Sequence, residues 1–242
     1  MAGQRYQAAQ HATFKLSNDK NCEEKFGDVS GLYPDPPERS LVLGCDGKSP
    51  GQAWERTQPG LPLGPHRVGT GTHAYIRHGA STPFAALSYL DGRIFRQTAA
   101  HHTHEAWLDF IQHLEKQTPA GLTLHLSIDN YATHQHPKVK SWIKWCNQRH
   151  HQPHGLDRMA MHCTPTSSSG MNLVERFFRD LTVACVRDSS FTSIGDLVAS
   201  IAACLAQRDL DPKRYVWKAE GQEILRTIHR AKDALAKTSG EN

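Results

Sequence analysis

No two of the six cysteines stand in a C-x-x-C pair, and the sequence has no internal repeat and no long apolar run. Each absence removes a class of protein. The longest apolar stretch, LVASIAACLA at 197–206, is too short to span a bilayer, so no membrane partner is expected. The opening MAGQRYQAAQHATFKL has no apolar core and does not read as a secretory signal. The Gly/Pro-rich TQPGLPLGPHRVGTG lacks the G-K-[ST] ending of a phosphate-binding P-loop. Cys45, Cys185 and Cys204 lie in apolar runs, which suits reduced core thiols and a reducing, cytosolic compartment. A strong charge of either sign is also missing: 28 Lys+Arg face 24 Asp+Glu, a net +4 before the 16 histidines. That mild excess fits an anionic partner without specifying one.

What is present is an ordinary globular composition, 38% hydrophobic and 21% charged, over 242 residues. That length suits one large domain, or one domain with appendages. SLVLGCD (40–46) is a nearly continuous apolar run, as in a strand buried on both faces. HAYIRHG, TPFAALSYLDG and RIFRQTA read as three strands, with Asp91-Gly92 as a hairpin turn. THEAWLDFIQHLEKQT has Trp107, Phe110, Ile111 and Leu114 at helical spacing, with Thr103 as N-cap. LTLHLSID alternates with period two, and PKVKSWIKW is a short amphipathic helix. CNQRHHQPHGLDR reads as a polar loop, MAMHCTP as a strand, and MNLVERFFRDLTVACV as a helix with an apolar stripe. Ser193 and Asp196 form a capping pair for a further helix, and GQEILRTIHRAKDALAK is read as a last one. The pattern predicts an α/β fold with a mixed sheet.

Three acids occupy informative places. Asp46 ends the first central strand, Asp129 ends the strand after the first long helix, and Glu175 lies early on the helix after the last strand. Singly, each has an ordinary explanation: a turn, a cap, or an answer to the helix dipole. Together they converge if the two strands are neighbours and the helix returns over their ends, at the crevice where open α/β sheets bind ligands. Two unit charges at 4 Å repel by roughly 4 kcal/mol at an effective dielectric near 20. Divalent cations remove that cost, and an all-oxygen donor set favours Mg²⁺ or Mn²⁺ over zinc.

The histidines group as 101, 102, 104 and as 150, 151, 154, 162 beside Cys163, but no spacing matches a closed tetrahedral zinc pattern. They read as solvated loop histidines. Arg56, Arg67, Arg77, Arg93 and Arg96 are scattered. Lys138, Lys140 and Lys144 interleave with Trp142 and Trp145, which fits either a DNA-tracking strip or a solvated helix face with core tryptophans.

The segments LVLGCDGKSPGQAWERTQPGLPL, HLSIDNYATHQHPKVKSW, HCTPTSSSGMNLVERFF and DPKRYVW closely resemble bacterial insertion-sequence transposases of the mariner-like group, the insertion-sequence-six-thirty family. The likeness runs from about residue 14 to about residue 235. It implies a ribonuclease-H-like mixed sheet flanked by helices. It also implies an Asp-Asp-Glu triad of Asp46, Asp129 and Glu175 holding two Mg²⁺ (or Mn²⁺) ions, for DNA strand cleavage and strand transfer. Lys48, Asn130, His134, Asn172, Lys138 and Lys140 would support those ligands or contact DNA. The partners implied are double-stranded DNA, as transposon ends and target, and a second copy in a synaptic homodimer, in the bacterial cytosol at the nucleoid. The expected division is an arm at 1–39, a catalytic domain at 40–208 and a helical extension at 209–242.

The chain departs from that pattern in places. The family commonly has Glu, Lys, Ser, Gln after the first acid, where Gly47, Lys48, Ser49 and Pro50 stand here, and Trp where Gly170 stands. The family usually begins with a helix-turn-helix region, and this sequence resembles a fragment or the second product of a two-frame element. The interval from Asp129 to Glu175 (175 − 129 = 46) is long, with the excess in CNQRHHQPHGLDR. Two other functions fit the same residues: a catalytically silent DNA-binding or oligomerising remnant, and a general ribonuclease-H-like nuclease acting on RNA–DNA hybrids.

Overall fold

The computed structural model describes residues 17, 19–48, 51–57, 74–166, 171–187, 189–216, 226 and 230. The chain runs α1 (Cys22–Gly31), β1 (Ser40–Gly47), β2 (Gly51–Arg56), β3 (Tyr75–Ser88), β4 (Ile94–Ala99) and α2 (His104–Gln117). It continues with β5 (Thr123–Ile128), α3 (Pro137–His154), β6 (Met159–Cys163), α4 (Leu173–Cys185) and α5 (Ile194–Leu210). The six strands form one mixed sheet in the order β2-β3-β1-β5-β6, with β4 also paired to β3. β1, β5 and β6 are parallel neighbours, whereas β3 runs antiparallel to β1, β2 and β4. This is the ribonuclease-H-like α/β architecture that the resemblance implies.

Period-two alternation divides the core between the sheet faces. Leu43 and Cys45 of β1 point with Leu124, Leu126 and Ile128 of β5 toward α2 and α3. Val42 points the other way, into a cluster with Phe26 and Val29 of α1, Phe177 and Leu181 of α4, and Leu205 of α5. Both faces of β1 are therefore covered, as its continuous apolar run predicts. α1 lies inside the stretch read as an arm, and its Cys22, Phe26 and Val29 are buried.

Several local readings change. HAYIRHG and TPFAALS are one 14-residue strand, β3, passing through Gly79 at φ 127°. Its first half pairs with β2 and its second half with β1 and β4, so the break in apolar pattern marks a change of partner. The β2 strand is new to the reading. CNQRHHQPH is not a loop: α3 continues through it to His154, 18 residues in all. Its inward row Val139, Ile143, Cys146, His150 keeps helical spacing, but two members of that row are not ordinary hydrophobes. His150, read as a solvated loop histidine, is buried with its ring nitrogens on the carbonyls of Leu156 (2.9 Å) and Ala120. Asn147 completes the turn by bonding both to Met159 O (2.9 Å) and to the Met159 N–H (2.8 Å). Cys185 and Cys204, read as separate reduced thiols, are joined as a disulfide between α4 and α5, with Cα atoms 6.4 Å apart. Ser49, Pro50, Gly170 and nearly all of the expected last helix lie outside the described residues. No described helix is long and apolar enough to cross a membrane.

Candidate active site

The parallel register pairs Gly44 with Ser127, so two residues further on Asp46 and Asp129 come level at the same end of adjacent strands. Asp46 is still within β1, and Asp129 is the first residue beyond β5. A cleft of about 740 Å³ opens there, lined by Asp46, Asp129 and Glu175 together with Lys48, Arg179 and Arg187. The chain thus brings its three diagnostic acids to one hollow.

Asn172 explains how Glu175 arrives. Its amide donates to Cys45 O (2.9 Å), and its side-chain oxygen accepts from Val174 N as the N-cap of α4. One buried side chain therefore ties the start of α4 to the strand residue next to Asp46, and Glu175 follows in the first turn. Gly44 makes room, since a Cβ there would stand 2.8 Å from Asn172 Oδ1. Gly47 has a similar reason: a Cβ would meet the Phe84 ring at 2.6 Å and His102 Nε2 at 2.8 Å. The position where the resembling family commonly has Glu is here closed by two rings.

Asp129 is held from behind. His134 is fully buried, with Nδ1 2.6 Å from Asp129 Oδ1, and that oxygen also accepts from Tyr131 N at 3.0 Å. The His134 ring packs on Trp107 at 4.1 Å, which fixes its orientation. Its Nε2 is buried and has no hydrogen-bond partner among the described residues. Asn130 turns away from the cleft. Its amide donates to Thr164 O at 3.0 Å and lies 3.4 Å from the Asp19 carboxylate, so it fastens the β5 end to β6 and to the segment before α1. Lys138 and Lys140 are exposed on α3, outside the cleft lining.

The electrostatics are lopsided. Burial, followed by the charges of Asp129 and Glu175, pushes the Asp46 carboxyl up to about 7, although the Gly47 N–H at 2.7 Å opposes this. Burial alone would also raise Asp129, but the hydrogen bond and charge of His134, with the Tyr131 N–H, hold it below the usual range. Burial depresses Lys48. Lys48, Arg179 and Arg187 form no salt bridge with the acids or with any other described residue.

This donor set fits a divalent cation. One ligand atom each from Asp46, Asp129 and His134 lie within 4.8 Å of one another; Glu175 lines the same cleft and raises Asp46 but stands outside that close group. His134 Nδ1 is committed to Asp129, so the carboxylate oxygens are the donors that face the cleft, a hard set suited to Mg²⁺ or Mn²⁺. Sequence reasoning missed the far side of the cleft. Arg179 and Thr182 follow Glu175 at i+4 and i+7 on α4, a spacing that could have flagged them. His102 and Tyr131 come from loops, with rings 5.0 Å apart, and carry no such signal.

Residues 64–198 match the family model of the DDE superfamily endonucleases. The chain belongs to that superfamily. No curated protein is similar enough in sequence to match it. Among solved structures, this DDE endonuclease is similar to the Mos1 mariner paired-end complex with Mn, at TM-score 0.58 and 11% identity, over 94% of this chain and 64% of that one. A Mos1 transposase paired-end complex with the left transposon end gives 0.57 and 10%, over 94% and 63%. The Mos1 strand transfer complex gives 0.55 and 11%, over 93% and 63%. At these identities the likeness is one of fold, and the chain spans about 63% of the length of the Mos1 chain.

Proposed function

We propose that this DDE endonuclease is the catalytic domain of a mariner-like bacterial insertion-sequence transposase, cutting DNA at element ends and transferring the 3′ end to target DNA. The observation that carries this reading is the Asp46 carboxyl, crowded by Asp129 and Glu175 and pushed up to about 7 in a cleft also lined by Lys48, Arg179 and Arg187. Such a cluster is destabilising unless a positive charge joins it. Asp46, Asp129 and Glu175 would hold two Mg²⁺ or Mn²⁺ ions, which when bound supply activation of a water or 3′-hydroxyl and charge stabilisation of the leaving oxygen.

The chain's own residues do the rest. His134 fixes the Asp129 carboxylate so that its second oxygen faces the cleft. Asn172 fixes the phase of α4 so that Glu175 does the same. Lys48, Arg179 and Arg187 bind phosphate oxygens of the DNA strand and draw it past the acids. In this reading residues 40–208 form the catalytic unit, flanked by 1–39 and 209–242, and the protein works as a homodimer on double-stranded DNA in the bacterial cytosol.

Nicking of supercoiled DNA in Mn²⁺ tests the proposal. The parent nicks and Asp129→Asn does not; equal nicking by both would remove the assignment. Cleavage confined to RNA–DNA hybrids, with no joining of DNA 3′ ends, would replace transposase by a general nuclease.

A further inference from the structure

The helix α3 breaks two rules of helix construction. It carries Lys138, Lys140, Lys144 and Arg149 with three histidines in its last five residues, and not one Asp or Glu in its length. Lys138 and Lys140 sit in the first turn, where the helix dipole disfavours cations and where acids are ordinarily placed. Lys140 and Lys144 are four residues apart, a like-charge spacing that also destabilises. None of these four cations makes a salt bridge among the described residues. The nearby acids are already engaged: Glu105, which feels Lys138, lies 2.8 Å from His104, and Asp157 lies 3.7 Å from His151. This charge costs the helix stability, and no salt bridge among the described residues offsets it.

The aromatic residues of α3 divide. Trp142 packs against the core, whereas Trp145 is 50% exposed with the Arg149 guanidinium 5.2 Å over its ring. Lys138, Trp145 and Arg149 lie within about 40° of one another around the helix, given 100° per residue, and form one outward strip roughly 16 Å long. This strip starts near the cleft, although Lys138 is outside its lining. His136, which caps α3, stacks on His104 at 3.5 Å, and His134 two residues earlier holds Asp129.

We infer that the outer face of α3 is a second binding surface, for the phosphate backbone of duplex DNA running out of the cleft. An acid-free strip whose cations make no salt bridge among the described residues, with an exposed aromatic between them, complements a polyanion. Its length matches about half a turn of duplex, at ~34 Å per turn. The choice of DNA as the polyanion rests on the nuclease reading, but the surface stands on its own geometry.

The test is fluorescence anisotropy of a labelled duplex of about 30 base pairs across a salt series, without divalent ions, so that no cleavage enters. The double variant Lys138→Gln/Arg149→Gln should make the slope of log K against log salt shallower by about 1.8, and Lys144→Gln, about 120° around the helix from Lys138, should change it less than either strip cation alone. Trp145→Ala should weaken binding about two- to fivefold, with little change of slope. All four residues are exposed, so melting temperatures should match the parent. Arg93→Gln, on the β3–β4 hairpin, should change neither quantity. An unchanged slope in the double variant, an equal loss in Arg93→Gln, or tighter binding of single-stranded RNA of the same length would overturn the inference. A parent that binds duplex through α3 but never cuts would refute the nuclease and leave this surface standing.

Discussion

Helices α3 and α4 both begin beside the same cleft and are built on opposite plans. α4 has Glu175 in its first turn and a row of Val174, Phe177, Phe178 and Leu181 buried against the sheet. Its dipole, its apolar stripe and its Asn172 cap all favour the same placement. α3 has cations in its first turn and polar groups in its inner row. The difference teaches how the cleft divides its work: α4 is built for position, to deliver a carboxylate to two aspartates, and α3 is built for charge, at a cost to its own stability.

That contrast can be broken by mutation. The largest effect belongs to the acid of α4. Glu175→Gln should cut Mn²⁺-dependent nicking by roughly 10²–10³-fold while leaving metal-free duplex binding intact. The α3 double variant should do the reverse, raising KM at low salt and sparing kcat. If Glu175→Gln weakened binding as much as turnover, the division between the helices would be wrong.

Next comes the effect of pH on the metal-free protein. Asp46 titrates at about 7 in the folded state against 3.8 for a free carboxyl, so the folded chain holds this proton more tightly. The stability it contributes is complete below about pH 4 and is lost as pH rises through 7, on the order of 1.4 kcal/mol per unit between those values. Asp129, held below its usual range, acts only at lower pH and does not oppose this in the same window. His102, His125 and His136, each held below its usual value first by burial, act in the opposite sense over the lower part of this window, so the Asp46 effect is read as a difference: from pH 5 to pH 8 the melting temperature of the parent should fall relative to that of Asp46→Asn. Mn²⁺ at pH 8 should raise the melting temperature of the parent more than that of the variant. Equal pH slopes in the parent and in Asp46→Asn would contradict the crowding at Asp46.

Two smaller effects sharpen the comparison. Asn172→Ala removes both the α4 cap and the buried bond to Cys45 O, and should cost about 1–3 kcal/mol in denaturant melts, with a fall in kcat. His150→Ala strips a ring that bonds two carbonyls, and should cost about 1–2 kcal/mol. Amide exchange should then quicken over 146–154 while kcat holds. Loss of turnover in His150→Ala would mean that the end of α3 also positions the site.

How much could be read beforehand follows from the same contrast. The α4 stripe, the Thr103 cap of α2 and the alternation of β5 are hydrophobic patterns with the period of their elements, and they survive in the structure. The far half of α3 was hidden because Asn147 and His150 replace apolar packing with hydrogen bonds to neighbouring carbonyls, and no periodicity of hydrophobicity records that. β3 looked like two strands because it changes partners halfway. The convergence of the three acids was legible from element order alone. Of the cations beside them, Lys48 was named through the family likeness, whereas Arg187 was not, since it lies beyond the end of α4 where only the folded chain sets its direction.

The most direct test is crystallographic. Crystals soaked in Mn²⁺ at pH 8 should give anomalous peaks among the carboxylates of Asp46, Asp129 and Glu175, with His134 still bonded to Asp129. Peaks confined to histidines elsewhere, or none at the three acids, would contradict the proposal that this cleft is built to hold divalent ions.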